Sequence, residues 1–365
     1  MLKRILKYKR IWLILLAPIG LLLTLLAEWE SGWVETVHSR FIYPLFANSL
    51  GWLLSLFPFS VLELLIVLLG AGAIFYLVWA TVGICRHRAE WKGRLYRLGL
   101  NVLATASIVY FGFVLFMGLN YHRASITEYL DLTVQKSTKE ELYSLCERLV
   151  RDCNEDRAKL QEDENGVVLL SDGGFYETAD AARKAYTALE KEIPVLQAAD
   201  VRNKPLLSSK LFSMVLTTGI YIPFESGINV DVPAYTVPAT MCHELTHFRG
   251  FMREDEANFL SYLACMGSER ADFRYSGSLM AFEYAFDALY DEDRELAAEI
   301  AQQCGSGMIR DIRAEDDYWR PYRNTAVSEM SGEIYEGYLQ SNNQQSGLKS
   351  YGEMIDLLLA YYREG

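Results

Sequence analysis

The stretch MCHELTHFRG, Met241 to Gly250, sets two histidines four residues apart with a glutamate directly after the first. Residues four apart on an α-helix differ by about 40° around the axis and about 6 Å along it, so His243 and His247 can approach one metal ion from the same face. Glu244 is turned about 100° from His243. It cannot share their coordination shell, but it can reach a water molecule beside the ion and act as its base. Two imidazoles with an adjacent carboxylate suit Zn2+, which acidifies water and polarises carbonyl groups. The alternative is a helix face that carries two histidines and no metal.

A third ligand has to come from elsewhere. No histidine follows His247, and the only other one beyond residue 120 is His122. The longer pattern HExxHxxGxxH fits as far as Gly250 and fails at Arg253. A carboxylate is therefore expected, and Glu254, Asp255 and Glu256 stand at the head of the next helical stretch. Glu254 and Asn258 share a helix face, so Glu254 can bind the ion while Asn258 hydrogen-bonds a ligand histidine. Glu256 is the competing choice, and acidic residues in a first turn also stabilise a helix without binding anything. A developing oxyanion needs a donor. Tyr275 and Arg274 are candidates, as is Tyr351, and the alternative for each is a packing role.

The surrounding texture fits such a site. MVLTTGIYIPFES and GINVDVPAY read as two β-strands meeting at Ser226 and Gly227, and the stretch Glu225 to Val230 reads as an edge strand, either an ordinary one or one that binds extended substrate. Pro238 is tolerated only in a helix's first turn, Gly250 ends that helix, and EDEANFLSYLACMG opens another. Earlier, STKEELYSLCERLVRDCNEDRAKLQ begins as a capping box, and a second helix is expected from Thr178 to Ile193. Later helices are expected near 276–290, 292–304, 324–340 and 351–363.

HELTH followed by EDEAN resembles the glutamate zincins, whose second helix carries a Glu ligand and, four residues on, an Asp or Asn. The membrane-bound heat-shock peptidases and the regulators that cleave phage or stress repressors have similar ExxAD or ExxAN patterns, matched here by Glu254, Ala257 and Asn258. The loop before them is much shorter than in those families. Nearly the whole chain, including GIYIPFESGINVDVPAYTVPATMCHELTHFRGFMREDEANFLSYLAC and SYGEMIDLLLAYYRE, resembles an uncharacterised bacterial membrane family known only as a domain of unknown function.

Charge divides the chain. Through Asn120 there are 11 basic and 5 acidic residues, leaving 24 and 42 for the remainder. That asymmetry implies a membrane region, residues 1–120, followed by an acidic domain, 121–365, and speaks against nucleic acid as partner. Residues 11–27, 61–84 and 98–119 are apolar enough to span a bilayer. The basic segments MLKRILKYKR and CRHRAEWKGRLYR then fall on one side, which places the N-terminus in the cytoplasm and the large domain outside it. Residues 41–57 are interrupted by Pro44, Asn48, Ser49 and Gly51 and read as an interfacial segment. Five of six cysteines lie beyond residue 120, an odd number without any CxxC, and are expected as buried apolar residues.

The expected fold is α+β: three N-terminal transmembrane helices, then a mainly helical, zincin-like domain with a small β-sheet. The expected function is that of a membrane-anchored zinc metallopeptidase acting on peptide or protein substrates outside the cytoplasm. His243, His247 and Glu254 are the expected ligands, Glu244 the base, Tyr275 the oxyanion donor and Asn258 the support. The rival is a membrane receptor or assembly factor that keeps the metal-binding fold as a non-catalytic module.

Overall fold

The computed structural model describes residues 10–171 and 173–364. Contacts divide the chain into two units, one holding the chain up to Tyr43 together with Val61–Arg123, the other Pro44–Ser60 together with the chain from Ala124 onward.

In the first unit, Ile11–Trp29, Val61–Arg86 and Arg88–His122 are helices long and apolar enough to cross a membrane. Of the first basic segment, residues 1–9 lie outside the described residues. The helix Trp91–Phe116 starts inside the second basic segment. Its Asn101 accepts from Arg10 Nη1 at 2.7 Å and donates to the Tyr76 hydroxyl. An amide in an apolar bundle needs such partners, because hydrocarbon offers none. A π-helix, Val34–Ile42, buries His38 and Ser39. They bond to the Leu115 carbonyl at 2.8 Å and to Asn120 Oδ1 at 2.9 Å.

The segment expected as interfacial folds as the helix Tyr43–Ser55. From Pro44 to Ser60 its contacts are those of the second unit, a difference from a boundary at residue 120. Gly51 explains the close approach, since a Cβ there would lie 2.6 Å from the Phe248 ring. Asn48 Oδ1 accepts from the Ala199 amide at 2.8 Å, and Lys204 Nζ donates to the Leu54 carbonyl at 2.7 Å.

The second unit is helical around a small sheet. Thr138 caps Lys139–Arg157, closing a capping box with Glu141, and Gly174–Glu192 stops just before Pro194. The later helices are Thr236–Phe248, Glu254–Met266, Ala271–Glu292, Arg294–Ala301, Ser306–Trp319, Ala326–Ser341 and Met354–Glu364. Of these, Ser306–Trp319 was not expected. Phe248, Phe251, Phe259, Phe273, Tyr186 and Tyr262 are fully buried in the core.

Strands β1 (Lys204–Pro205), β2 (Gly219–Ile222) and β3 (Glu225–Ile228) are ordered β1-β3-β2, with β3 parallel to β1 and antiparallel to β2. Two sequence expectations are corrected here. The hairpin turns at Pro223 and Phe224, with Ile222 opposite Glu225, and not at Ser226 and Gly227. Gly227 is instead a strand residue pressed against Leu206, where a Cβ would come within 2.6 Å. The stretch Glu225 to Val230 is not an edge: β3 is the middle strand, and β2 is the outer, antiparallel one.

Candidate metal centre

The motif helix Thr236–Phe248 carries Pro238 in its first turn, where the missing N–H costs no helical bond. Neighbouring helices pin that turn: Ser276 Oγ accepts from the Ala239 amide at 3.0 Å, and Ser261 Oγ donates to the Ala239 carbonyl at 2.7 Å. At the other end, Gly250 has φ of +81°, a left-handed conformation that suits glycine. The reversal brings the Phe251 carbonyl back to His247 Nδ1 at 2.8 Å. Three residues later the helix Glu254–Met266 begins, with Glu254 in its first turn.

His243, His247 and Glu254 are all buried, and their ligand atoms lie within 4.8 Å of one another. His243 Nε2 is 3.0 Å from His247 Nε2. Glu254 Oε2 is 3.1 Å from the first and 3.5 Å from the second. His243 Nδ1 bonds Asn258 Oδ1 at 2.8 Å. Both Nδ1 atoms thus face oxygen acceptors and carry protons, which directs both Nε2 atoms at Glu254, as lone pairs wherever the ring is neutral. Among the described residues, none donates a hydrogen bond to the buried Glu254 Oε2. Two lone pairs and an unpartnered carboxylate oxygen converging in a buried pocket need a cation or a proton between them. The separations suit a small ion: bonds of about 2.0–2.1 Å in a tetrahedron put donors about 3.3 Å apart. This His-His-Glu cluster could hold a metal ion.

Charge coupling agrees with that arrangement. Burial opposes ionisation of Glu254, but the charge of His247 and the nearness of both imidazoles outweigh it and hold the carboxyl well below its usual range. Burial likewise disfavours the charged form of His247, yet Glu254 overrides it and lifts the ring to about 9. Glu244 is buried, with its Oε2 unpartnered among the described residues. Burial, opposed by His243 and His247 and reinforced by Glu254, pushes its carboxyl up to about 7. A carboxylate in that range is suited to take and return a proton near neutrality. Strand β2 leaves room for it, because a Cβ on Gly219 would lie 2.6 Å from Glu244 Oε1.

Glu256, the competing ligand, is engaged elsewhere. Its Oε1 accepts from Ser125 Oγ at 2.9 Å, the Ile126 amide at 2.8 Å and Arg253 Nη2 at 2.8 Å. The placement of Tyr275 departs from expectation. Its hydroxyl donates to Asp311 Oδ2 at 2.6 Å, in a buried cluster where Arg157 also pairs with Asp311. That hydroxyl is committed to a carboxylate and is not among the groups gathered at the histidines. Arg274 is likewise occupied, by Asp156 at 2.7 Å. Tyr351 does reach the site: its ring stacks on His243 with centroids 6.0 Å apart and planes at 12°. Its carbonyl accepts from Asn258 Nδ2 at 3.1 Å. Sequence reasoning missed Tyr335, whose hydroxyl donates to Glu254 Oε1 at 2.9 Å and bonds the Tyr351 hydroxyl at 2.8 Å. With 23 tyrosines in the chain, nothing in its spacing marks it.

The chain belongs to a family described as "Protein of unknown function (DUF3810)", whose model matches residues 38–359. No curated protein and no solved structure matches it.

Proposed function

We propose that the protein is a membrane-anchored, zinc-dependent metallopeptidase, zincin-like in its second unit. The observation that carries this reading is the convergence of His243 Nε2, His247 Nε2 and an unpartnered Glu254 Oε2 beside a second, non-ligating carboxylate, Glu244. A purely structural metal site has no use for Glu244. Zn2+, when bound by these three residues, supplies a Lewis acid for water and for a peptide carbonyl. Glu244 takes a proton from the attacking water and passes it to the departing amine. Asn258 and the Phe251 carbonyl hold the two imidazoles in the tautomer that frees Nε2. Burial of the ligand set excludes bulk water and keeps the electrostatic pull of the site strong.

Substrate would add as a further strand along β2, whose Gly219 abuts Glu244. The apolar helices anchor the enzyme, and the basic segments before the first span and between the second and third, both on one side, put the N-terminus in the cytoplasm and residues 124–365 outside it. The deciding experiment presents the purified full-length chain with a mixture of unstructured peptides and reads new termini by mass spectrometry. Cleavage by the native chain should vanish with a zinc chelator and with Glu244→Gln. Cleavage that survives Glu244→Gln would rule the peptidase reading out, and loss of metal dependence alone would remove zinc from it.

A further inference from the structure

We infer that Tyr335 and Tyr351 form a serial hydroxyl relay that fixes which oxygen of Glu254 faces the metal, an inference that rests on the metal site proposed above. The argument is a count of protons. An ionised carboxylate only accepts, so the 2.9 Å contact between Tyr335 and Glu254 Oε1 uses the single phenolic proton of Tyr335. The 2.8 Å contact between the two phenols must then use the proton of Tyr351, with Tyr335 as acceptor. The order is therefore Tyr351 to Tyr335 to Glu254 Oε1, and it leaves Oε2 free to face both histidines at 3.1 and 3.5 Å.

This order also removes Tyr351 as a donor to a developing oxyanion, because its only proton is already spent. Both tyrosines are positioning residues. Tyr351 acts at two further points, since its ring covers His243 and its carbonyl holds the Asn258 amide whose Oδ1 orients the same histidine. The 3₁₀ segment Gly347–Glu353 and the helix Ala326–Ser341 thereby become parts of the metal site, although they lie about a hundred residues beyond HELTH. Supports of this kind typically change metal affinity by about 10- to 100-fold.

The test uses the full-length chain loaded with Co2+, whose visible absorption reports the ligand geometry. Four forms are compared: native, Tyr335→Phe, Tyr351→Phe and the double variant, each with a circular dichroism melt. Tyr335→Phe should weaken metal binding about 10- to 100-fold and shift the cobalt bands. The double variant should be no weaker than the more affected single one, because the links act in series. A Tyr335→Phe chain with native affinity and native cobalt bands would overturn the relay while leaving the metal site standing. A native chain that folds yet binds no cobalt or zinc would instead remove the site itself. Equal melts with altered bands separate positioning from a general loss of stability.

Discussion

Glu244 and Gly219 make the most local demands on the chain. Glu244→Gln keeps the side chain's shape but cannot take a proton, so peptide cleavage should fall by at least about 100-fold while metal content stays native. Equal loss of metal would show that Glu244 belongs to the ligand set instead. Gly219→Ala would drive a Cβ into Glu244 Oε1, against a spacing of 2.6 Å. Displacing a reacting group by an ångström costs about 100-fold, and turnover should drop to that extent with metal binding unchanged. The pH dependence follows from His247, which Glu254 keeps protonated up to about 9. Below that value each ion bound must displace one proton, so affinity should rise about tenfold per pH unit from 6 to 8. Zinc competition titrations read this directly, and a flat profile would contradict it. At this scale the histidines, Glu244, Glu254 and Asn258 were legible because helical periodicity fixes which side chains share a face. Tyr335 was not, because its contact depends on how distant helices pack.

At the level of elements, the site is a helix, a reversal and a second helix, and the reversal is its most sensitive part. Gly250 adopts φ of +81°, where a Cβ costs about 1–2 kcal/mol. Gly250→Ala should lower stability by about that amount. It should weaken metal binding further, since the same turn aims the Phe251 carbonyl at His247; a chemical melt and a zinc titration on one sample distinguish the two losses. The helix boundaries near HELTH were readable from Pro238 and Gly250, which act through local backbone geometry. The sheet was read less well. Alternating residues show that strands exist, but which strand is central depends on β1, a two-residue strand with no sequence signature of its own. The role of Gly227 followed the same logic: it looked like a turn residue and serves as a place for Leu206.

For the whole molecule, the three apolar helices were visible in composition alone, as was the contrast between a basic first third and an acidic remainder. What composition could not show is that Pro44–Ser60, enclosed in sequence by two of those helices, packs with the second unit. A fragment that starts after residue 120 lacks this segment and exposes the Phe248 ring that Gly51 covers, so the full-length chain is the proper sample. The proposed sidedness has its own check in Cys85, an exposed thiol in the last turn of the second apolar helix, Val61–Arg86. A membrane-impermeant maleimide should label it in inverted vesicles and spare it in intact cells; the reverse pattern would invert the topology. The central claim is that His243, His247 and Glu254 hold a zinc ion, and metal analysis of the purified full-length chain tests it most directly. The account predicts close to one zinc per native chain, lost in Glu254→Ala and retained in Glu256→Ala; a folded native chain without zinc, or one that loses it equally in both variants, would contradict it.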